Sequence, residues 1–332
     1  VDLPTFPPFA LFDPALGMTT VVPWMDPTRP AKANPDLLIQ SIERFGVTNV
    51  FGSPALLRVL GGHAKRQGRI LANVRRVISA GAAVPLDAAQ DMRAALPPGG
   101  KVFSGYGATE CLPVSCVELG ELDETVIAQT RAGHGICVGK PIAPNRVAVM
   151  PVRDLPEDRL PEDELLPTGV AGEFVVHGPT TTDAYWQRDA QTRLAKCTDG
   201  EGRVWHRMGD AGYLDEHGRL WYCGRKSQRL ELGGRTLFPD QVEAYFNTHP
   251  EVFRTALVAA AGKAVLCVET AERPARQRRE RIRTDLLQMA RSHGQFDVID
   301  AVLFHRAFPV DIRHNSKIGR EKLASWAEGQ LS

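Results

Sequence analysis

The first third of the chain switches repeatedly between helical and extended hydrophobic patterns, and that switching limits its fold more than any other feature. NPDLLIQSIERFG opens on an Asn-Pro-Asp capping signal and sets Leu37, Leu38, Ser41, Ile42 and Phe45 along one side, which predicts a helix with that side inward. TNVFGSP and VRRVISAGAAV are short apolar runs ending in glycine turns and predict buried strands, with ALLRVLGGHAKRQ a helix between them. Strand, helix, strand, helix implies a mainly parallel sheet. Ligands of such sheets sit beyond the carboxyl ends of the strands. SAGAAVP (79–85) and SGYGATE (104–110) each lie just after a predicted strand, where a site would form.

From about residue 135 the texture changes. GEFVVHGP reads as a strand, and GYLDEHGRLWYCG as a hairpin turning on Glu216-His217-Gly218. MPVRDLPEDRLPEDELLPTG is proline-rich and acidic and predicts a solvated loop. After Gly224, RLELGGRTLFP predicts a hairpin around Gly233-Gly234, and PDQVEAYFNTHP a helix striped by Val242, Tyr245 and Phe246. VFRTALVAAAGKAVLCVET gives two strands, ARQRRERIRTDLLQMARSHG a helix with Ile282, Leu286 and Met289 inward, AVLFHRAFPVD a strand and REKLASWAEG a terminal helix. The expected organisation is a partial large α/β domain over 1–223, a hinge at 224–227 and a small mobile α+β domain over 228–332. No internal repeat is apparent.

Composition excludes several classes. The 332 residues suffice for two domains. With 43% hydrophobic and 24% charged residues the chain has the profile of an ordinary globular protein. A net charge of +1 gives no global field toward nucleic acid or an acidic membrane. No apolar run is long enough to span a bilayer, and no signal-peptide pattern opens the chain. The arginine-rich run Arg276 to Arg283 is interrupted by glutamate and lacks aromatic platforms, so it predicts a solvated helix face and not a nucleic-acid site. The six cysteines form no C-x-x-C pair and no zinc spacing with histidine, which predicts reduced thiols in a cytoplasmic protein. The chain begins at Val1, without methionine, in a proline-punctuated apolar stretch, and the expectation is a fragment whose N-terminal part lies elsewhere.

The functional signal lies in the order of short motifs: SAGAAVP, SGYGATE, GEFVVHGP, MGDAGYLDEHG (208–218), CGRKSQRLELGGRTLFPDQVE (223–243) and HNSKIGREKL (314–323). SGYGATEC has the first two glycines of a G-x-G-x-x-G dinucleotide loop, but Glu110 stands where the third should be. Together, in this order, the motifs resemble the adenylate-forming superfamily of acyl-CoA synthetases, luciferases and peptide-synthetase adenylation domains. The resemblance covers essentially the whole chain and implies ATP and Mg²⁺ as cofactors.

That resemblance implies roles which the chemistry of each residue supports. Tyr106 offers an aromatic face to a base, flanked by Gly105 and Gly107, which let backbone approach closely. Thr109 offers a hydroxyl to the α-phosphate, and Glu110 fits a Mg²⁺ between itself and the phosphates. Gly81, Ala82 and Ala83 form a small-residue wall, with a plain tight turn the alternative. Asp210 can accept from a ribose diol, and Arg225 can reach ribose or phosphate with its planar fork. Lys317, in a K-I-x-R frame, is the expected catalytic residue: it stabilises charge developing between the attacking carboxylate and the α-phosphate. Ser227 takes the hinge position, where relatives carry Asp or Lys, and Ser316 replaces the glycine before the lysine. The family's Ser/Thr/Gly-rich phosphate loop is absent from these residues, so adenylation is expected to require the segment that carries it.

Finer text narrows the group. FALFDPALGMTTVVPWMDPTRPAKANPDLLIQSIERFGVTNVFGSPALLRVL and VDIRHNSKIGREKLASWA look like the olefin β-lactone synthetases of bacterial hydrocarbon biosynthesis. This implies a long-chain 2-alkyl-3-hydroxy fatty acid as substrate, activated as acyl-AMP and closed by its own 3-hydroxyl. It also implies thiolase-like, reductase and α/β-hydrolase-like pathway enzymes as partners. Phe9, Phe12, Leu16 and Met18 are candidates for an alkyl channel, with ordinary core the alternative. His314 is a candidate general base, with a surface histidine the default. A fatty acyl-CoA or acyl-AMP ligase would keep every nucleotide residue, and Gly233-Gly234 would suit passage of pantetheine. A non-catalytic nucleotide-binding scaffold is disfavoured by intact Glu110, Asp210, Arg225 and Lys317, and a hydrolase by the lack of G-x-S-x-G.

Overall fold

A computed structural model describes residues 1–310 and 318–331. It divides into two units, the first chiefly Val1–Asp123 and Val138–Ile142, the second Glu124–Cys137, Ala143–Pro309 and the C-terminal residues from Ile318.

The first unit is built on β1 (Asp2–Pro4), β2 (Asn49–Phe51), β3 (Arg76–Ser79), β4 (Lys101–Ala108), β5 (Cys111–Glu118) and β6 (Ile136–Pro141), side by side in that order. Neighbours from β1 to β4 run parallel, as the strand–helix alternation predicts, and β5 and β6 turn antiparallel. Helices α1 (Pro7–Phe12), α2 (Pro35–Phe45), α3 (Pro54–Arg66) and α4 (Leu86–Ala94) complete it. Capping chemistry sets their starts. Asn34 Oδ1 accepts from the Asp36 amide at 3.0 Å with Pro35 in the first turn, and Ser53 caps α3 ahead of Pro54. α2 buries Leu38, Ile39 and Ile42, whereas Leu37 and Phe45 are 38% and 51% exposed. The expected side is therefore borne out at Leu38 and Ile42 and rotated at its edge: Leu37, Ser41 and Phe45 lie on the flank, and Ile39 joins the core. At Gly61 of α3, an added Cβ would stand 2.6 Å from the Met92 amide nitrogen, so glycine is what lets α3 and α4 meet.

The second unit carries an antiparallel sheet of β7 (Arg146–Met150), β8 (Gly172–His177), β10 (Val204–Leu214) and β11 (Leu220–Arg225), with β9 (Lys196–Thr198) also on β10. β12 (Leu230–Leu232) and β13 (Arg235–Leu237) form the Gly233-Gly234 hairpin, both glycines at positive φ as a tight two-residue turn requires. β14 (Arg254–Ala260), β15 (Lys263–Glu269) and β16 (Ile299–Phe304) make a second sheet, antiparallel then parallel. Helices α5 (Glu124–Arg131), α6 (Asp189–Ala195), α7 (Pro239–Phe246), α8 (Arg276–Ser292) and α9 (Arg320–Leu331) accompany them. α8 buries Ile282, Leu286 and Ala290, with Met289 packed against the same core.

One small repeat is present after all. D-x-x-G-R-x-W occurs at Asp199–Trp205, in the β9–β10 turn, and at Asp215–Trp221, in the β10–β11 turn. Each aspartate accepts from two turn amides, from the arginine Nε and from the tryptophan Nε1, the last at 2.9 and 2.8 Å. Burial opposes ionisation at both, yet these donors hold both carboxyls below their ordinary range. The motif is too short and too sparse to stand out by eye.

The acidic segment after β7 is not a free loop. Arg207 of β10 is buried and donates to the carbonyls of Arg153 and Leu155. The same guanidinium pairs with fully buried Glu173 of β8 at 2.8 Å. Lys226, just after β11, reaches Glu173 Oε1 at 2.8 Å and the Arg153 carbonyl at 3.0 Å. One carboxylate thus joins two strands, the acidic segment and the turn after β11. Glu173→Gln should cost about 3–5 kcal/mol, since it leaves buried cations without their counter-charge. Chemical denaturation reads this directly, and a midpoint matching the parent chain would show that Glu173 is not the anchor.

Candidate active site

SGYGATEC is a hairpin and not a loop between strand and helix. Ser104, Gly105, Tyr106, Gly107 and Ala108 belong to β4, Thr109-Glu110 is the two-residue turn, and Cys111 opposite Ala108 begins β5. The expectation that this stretch follows its strand is corrected: the strand runs through it. The two glycines differ in purpose. At Gly107 a Cβ would stand 2.8 Å from the Cys111 carbonyl oxygen, where the register shifts between Tyr106 and Ala108. At Gly105 the nearest atom would be the Ala80 Cβ at an ordinary 3.8 Å.

β3 brings the second motif alongside. Ser79 pairs in register with Ser104, so Gly81, Ala82 and Ala83 leave the end of β3 beside the Gly105–Tyr106 stretch. Gly81 takes φ +90°, which an alanine would resist. The Ser79 hydroxyl is buried and has no hydrogen-bond partner among the described residues. Thr109 is exposed at the hairpin tip, while Tyr106 and Glu110 are half-buried. No cluster of three metal-ligating side chains exists among the described residues. A half-buried carboxylate such as Glu110 could serve a magnesium ion that takes its other ligands from phosphate and water, the usual mode for that ion.

In the second unit, Asp210 and Arg225 stand opposite each other on β10 and β11 and form an ion pair at 3.0 Å. β10 is irregular on both sides here, shifting register against β8 between Arg207 and Ala211 and against β11 between Ala211 and Gly212. Such bulges re-aim side chains. Asp210 is only 4% exposed, whereas the Arg225 side chain is 45% exposed and also donates to the Met208 carbonyl at 3.3 Å. A sugar diol would reach Asp210 only as the Arg225 guanidinium makes way. Ser227 is exposed, but its neighbours are pinned: Lys226 to Glu173, Gln228 by Arg320 Nε at 3.0 Å, and Arg229 to Asp154 at 2.7 Å.

Asp240, Glu243 and Arg320, which sequence reasoning did not single out, stand next to this pair. Gly224, at the end of β11, lets the first turn of α7 close in: a Cβ there would meet Asp240 Oδ2 and Pro239 Cδ, each at 3.1 Å. Glu243 of α7 takes a two-point ion pair from Arg320 of α9, one arm of it at 3.0 Å, and accepts from the Leu257 amide at 2.9 Å. Burial first, then the Glu243 charge, push the Asp240 carboxyl up to about 7, against the pull of Arg320. P-D-Q-V-E and K-I-x-R were visible signals, but their pairing joins residues far apart in sequence.

Lys317, Ser316 and His314 lie outside the described residues. The chain on either side is joined: the Gly319 amide donates to the Pro309 carbonyl at 2.7 Å, and Ile318 packs against the core under α9. Of the apolar residues expected near an alkyl channel, none is core. Phe12 and Leu16 are 59% and 71% exposed, Met18 is half-buried, and Phe9 lies against the Phe51 ring at 4.2 Å. All six cysteines are free thiols, and no described helix is long and apolar enough to cross a membrane.

Residues 13–186 match the AMP-binding enzyme family, and the chain belongs to that family of adenylate-forming enzymes. It is 51% identical over 338 residues to an olefin beta-lactone synthetase of Xanthomonas campestris pv. campestris, covering 99% of this chain and 60% of that protein. It is likewise 51% identical over 343 residues to an olefin beta-lactone synthetase of Stenotrophomonas maltophilia, covering 100% and 60%. The chain thus spans about three-fifths of the length of these relatives. Among solved structures, the amide bond synthetase McbA from Marinactinospora thermotolerans superposes with a TM-score of 0.77 at 23% identity, over 98% of this chain and 61% of that one. An O-succinylbenzoate coenzyme A synthetase from Bacillus subtilis, in complex with AMP, gives 0.72 at 20% identity, over 97% and 60%. These likenesses establish the fold: a large α/β sheet domain with a smaller C-terminal one.

The raised carboxyl of Asp240 makes a pH test. Its proton is held more tightly in the folded chain than in the unfolded one, so its contribution to stability is complete below about pH 4 and lost as pH climbs through about 7. Asp240→Asn mimics the protonated form. Its melting temperature should rise relative to the parent between pH 5 and pH 8, and an equal offset at both pH values would refute the raised carboxyl.

Proposed function

We propose that the full-length protein activates a long-chain 2-alkyl-3-hydroxy fatty acid and closes it to a β-lactone. The carboxylate attacks the α-phosphorus of ATP, pyrophosphate leaves, and an acyl-AMP forms. The substrate's own 3-hydroxyl then attacks the acyl carbon, its proton passes to a base or solvent, and the bond to AMP breaks. An internal nucleophile held near the acyl carbon needs no second substrate and gains from proximity. The observation that carries this reading is the 51% identity along 99% of the chain to a protein named for that product.

The residues take roles consistent with this chemistry. Tyr106 stacks on the base, Gly81, Ala82 and Ala83 line its edge with Gly105 and Gly107 behind, and Thr109 meets the α-phosphate. Glu110 would hold Mg²⁺, which would supply charge neutralisation at the phosphates. Asp210 and Arg225 bind the ribose and its phosphate. Lys317 is the catalytic cation, carried on a small domain over 228–332 that turns about 224–227, with Ser227 the hinge, against a large domain over 1–223. The exposed apolar faces around Phe12 and Leu16 suit an alkyl chain. A cytoplasmic setting and the thiolase-like, reductase and α/β-hydrolase-like partners of hydrocarbon biosynthesis complete the picture, and six free thiols are in keeping with it.

One observation favours a second reading, a fatty acyl-CoA ligase. Gly233 and Gly234 are exposed with no atom within 4 Å of where a Cβ would stand, open space that a pantetheine arm could cross. Mass spectrometry of products from the full-length enzyme with ATP, Mg²⁺ and a 2-alkyl-3-hydroxy acid separates the two. Lactone without CoA is expected. Thioester on adding CoA, with no lactone before it, would establish the ligase instead. Lys317→Ala should lower acyl-AMP formation at least a hundredfold, in line with losing one electrostatic contact to the transition state (about 10²–10³), while a scaffold would keep its function in the pathway.

A further inference from the structure

At the carboxyl ends of β15 and β16, against the first turn of α8, lies a cavity of about 470 Å³ that the adenylation chemistry leaves unused. Arg273, Arg279, Arg306, His305 and Phe304 line it, and no acidic side chain does. Among the described residues, none of these three guanidinium groups forms an ion pair with a carboxylate. On the same helix, Arg278 and Arg281 both grip Glu251, and Arg283 grips Glu280. Arg276 and Arg291 of that helix also have no such partner among the described residues, but both are exposed and neither lines the cavity; Arg273, Arg279 and Arg306 share it.

Two further details point inward. Arg279 lies over the Phe304 ring at 5.6 Å, and its Nε is buried without a hydrogen-bond partner among the described residues. A buried donor left unmade calls for an acceptor. Around it, α8 starts at Ala275 with no side-chain cap and no acidic residue in its first turn, so its leading amides also lack a side-chain acceptor. His305 Nδ1 accepts from the Ala307 amide at 3.2 Å, which keeps the neutral ring's one proton on Nε2.

We infer that this cavity binds a phosphate group, held by the forked donors of Arg273, Arg279 and Arg306 at the start of α8. Guanidinium forks match the tetrahedral oxygens of phosphate, and a helix start adds amides and a favourable dipole. The group arrives either as free phosphate or on a small phosphomonoester, since the cavity is larger than one ion needs.

Isothermal titration calorimetry of the full-length protein with inorganic phosphate and with glycerol 3-phosphate, at constant ionic strength, tests this. Saturable binding is expected, weakened at least tenfold in Arg279→Gln and in the double variant Arg273→Gln/Arg306→Gln. Tighter binding of glycerol 3-phosphate identifies a phosphomonoester as the source, and equal binding identifies free phosphate. Arg273 and Arg306 are exposed, so the double variant keeps its fold, which its melting temperature verifies. Unchanged affinity in both variants would place any phosphate elsewhere, at the nucleotide residues for instance, and overturn the inference. So would equal competition by chloride, or a preference for a long polyanion over both probes.

Discussion

Three charges removed from water in one place hold the second unit together. Glu173 sits between Arg207 and Lys226, and the carbonyls of Arg153 and Leu155 take up donors left over. An isolated buried charge is costly, and each of these is tolerable only because the others are there. The consequence is a strict geometry. β8, β10, the acidic segment and the turn after β11 cannot shift independently, because moving one strips a partner from another. The proposed hinge at Ser227 therefore begins one residue after a fixed point, Lys226, and its other side is held through Gln228 and Arg229. Whatever rotation occurs there is confined to very few backbone dihedrals, or else requires Lys226 to leave a buried carboxylate.

Asp210 and Arg225 inherit that rigidity. They stand on the same two strands, and the cluster of Asp240, Glu243 and Arg320 lies against them. Arg320 is held cationic by two acids despite its burial, and it starts the helix that follows Lys317 in sequence. The second unit thus concentrates ionisable groups that depend on one another: Glu243 takes the Arg320 guanidinium and the Leu257 amide.

Much of the fold was legible because glycine turns and proline starts are local signals. The hairpin at Gly233-Gly234, the helix at Pro239 and the alternation that makes β1 to β4 parallel all follow from residues that are neighbours in the chain. What failed was longer in range or subtler in phase. The inward side of α2 was half right: Leu38 and Ile42 are buried as expected, but Leu37 and Phe45 are exposed and Ile39 is buried instead, a choice of phase that only the surrounding core decides. SGYGATE looked like a loop because glycines usually mark one, yet Gly107 serves a strand irregularity. The acidic segment looked solvated because most of its charged side chains are exposed, while the Arg153 and Leu155 carbonyls and the Leu160 side chain make the buried contacts. The Glu243–Arg320 pair and the basic cavity beside α8 join distant residues, which no local pattern announces.

The paired D-x-x-G-R-x-W turns have a further meaning for Asp210 and Arg225, the residues proposed to bind the ribose and its phosphate. In the second turn, the Asp215 carboxylate gathers two amides, Arg219 and Trp221, and so fixes where β11 starts against β10. Asp210 faces Arg225 at the far end of that same strand pair. The turn works as the zero mark of a ruler on which those two residues are the reading. A slip of one position at Asp215 would carry Arg225 to the opposite face of the sheet. A tryptophan and an aspartate in the turn thereby set the alignment of the Asp210–Arg225 pair.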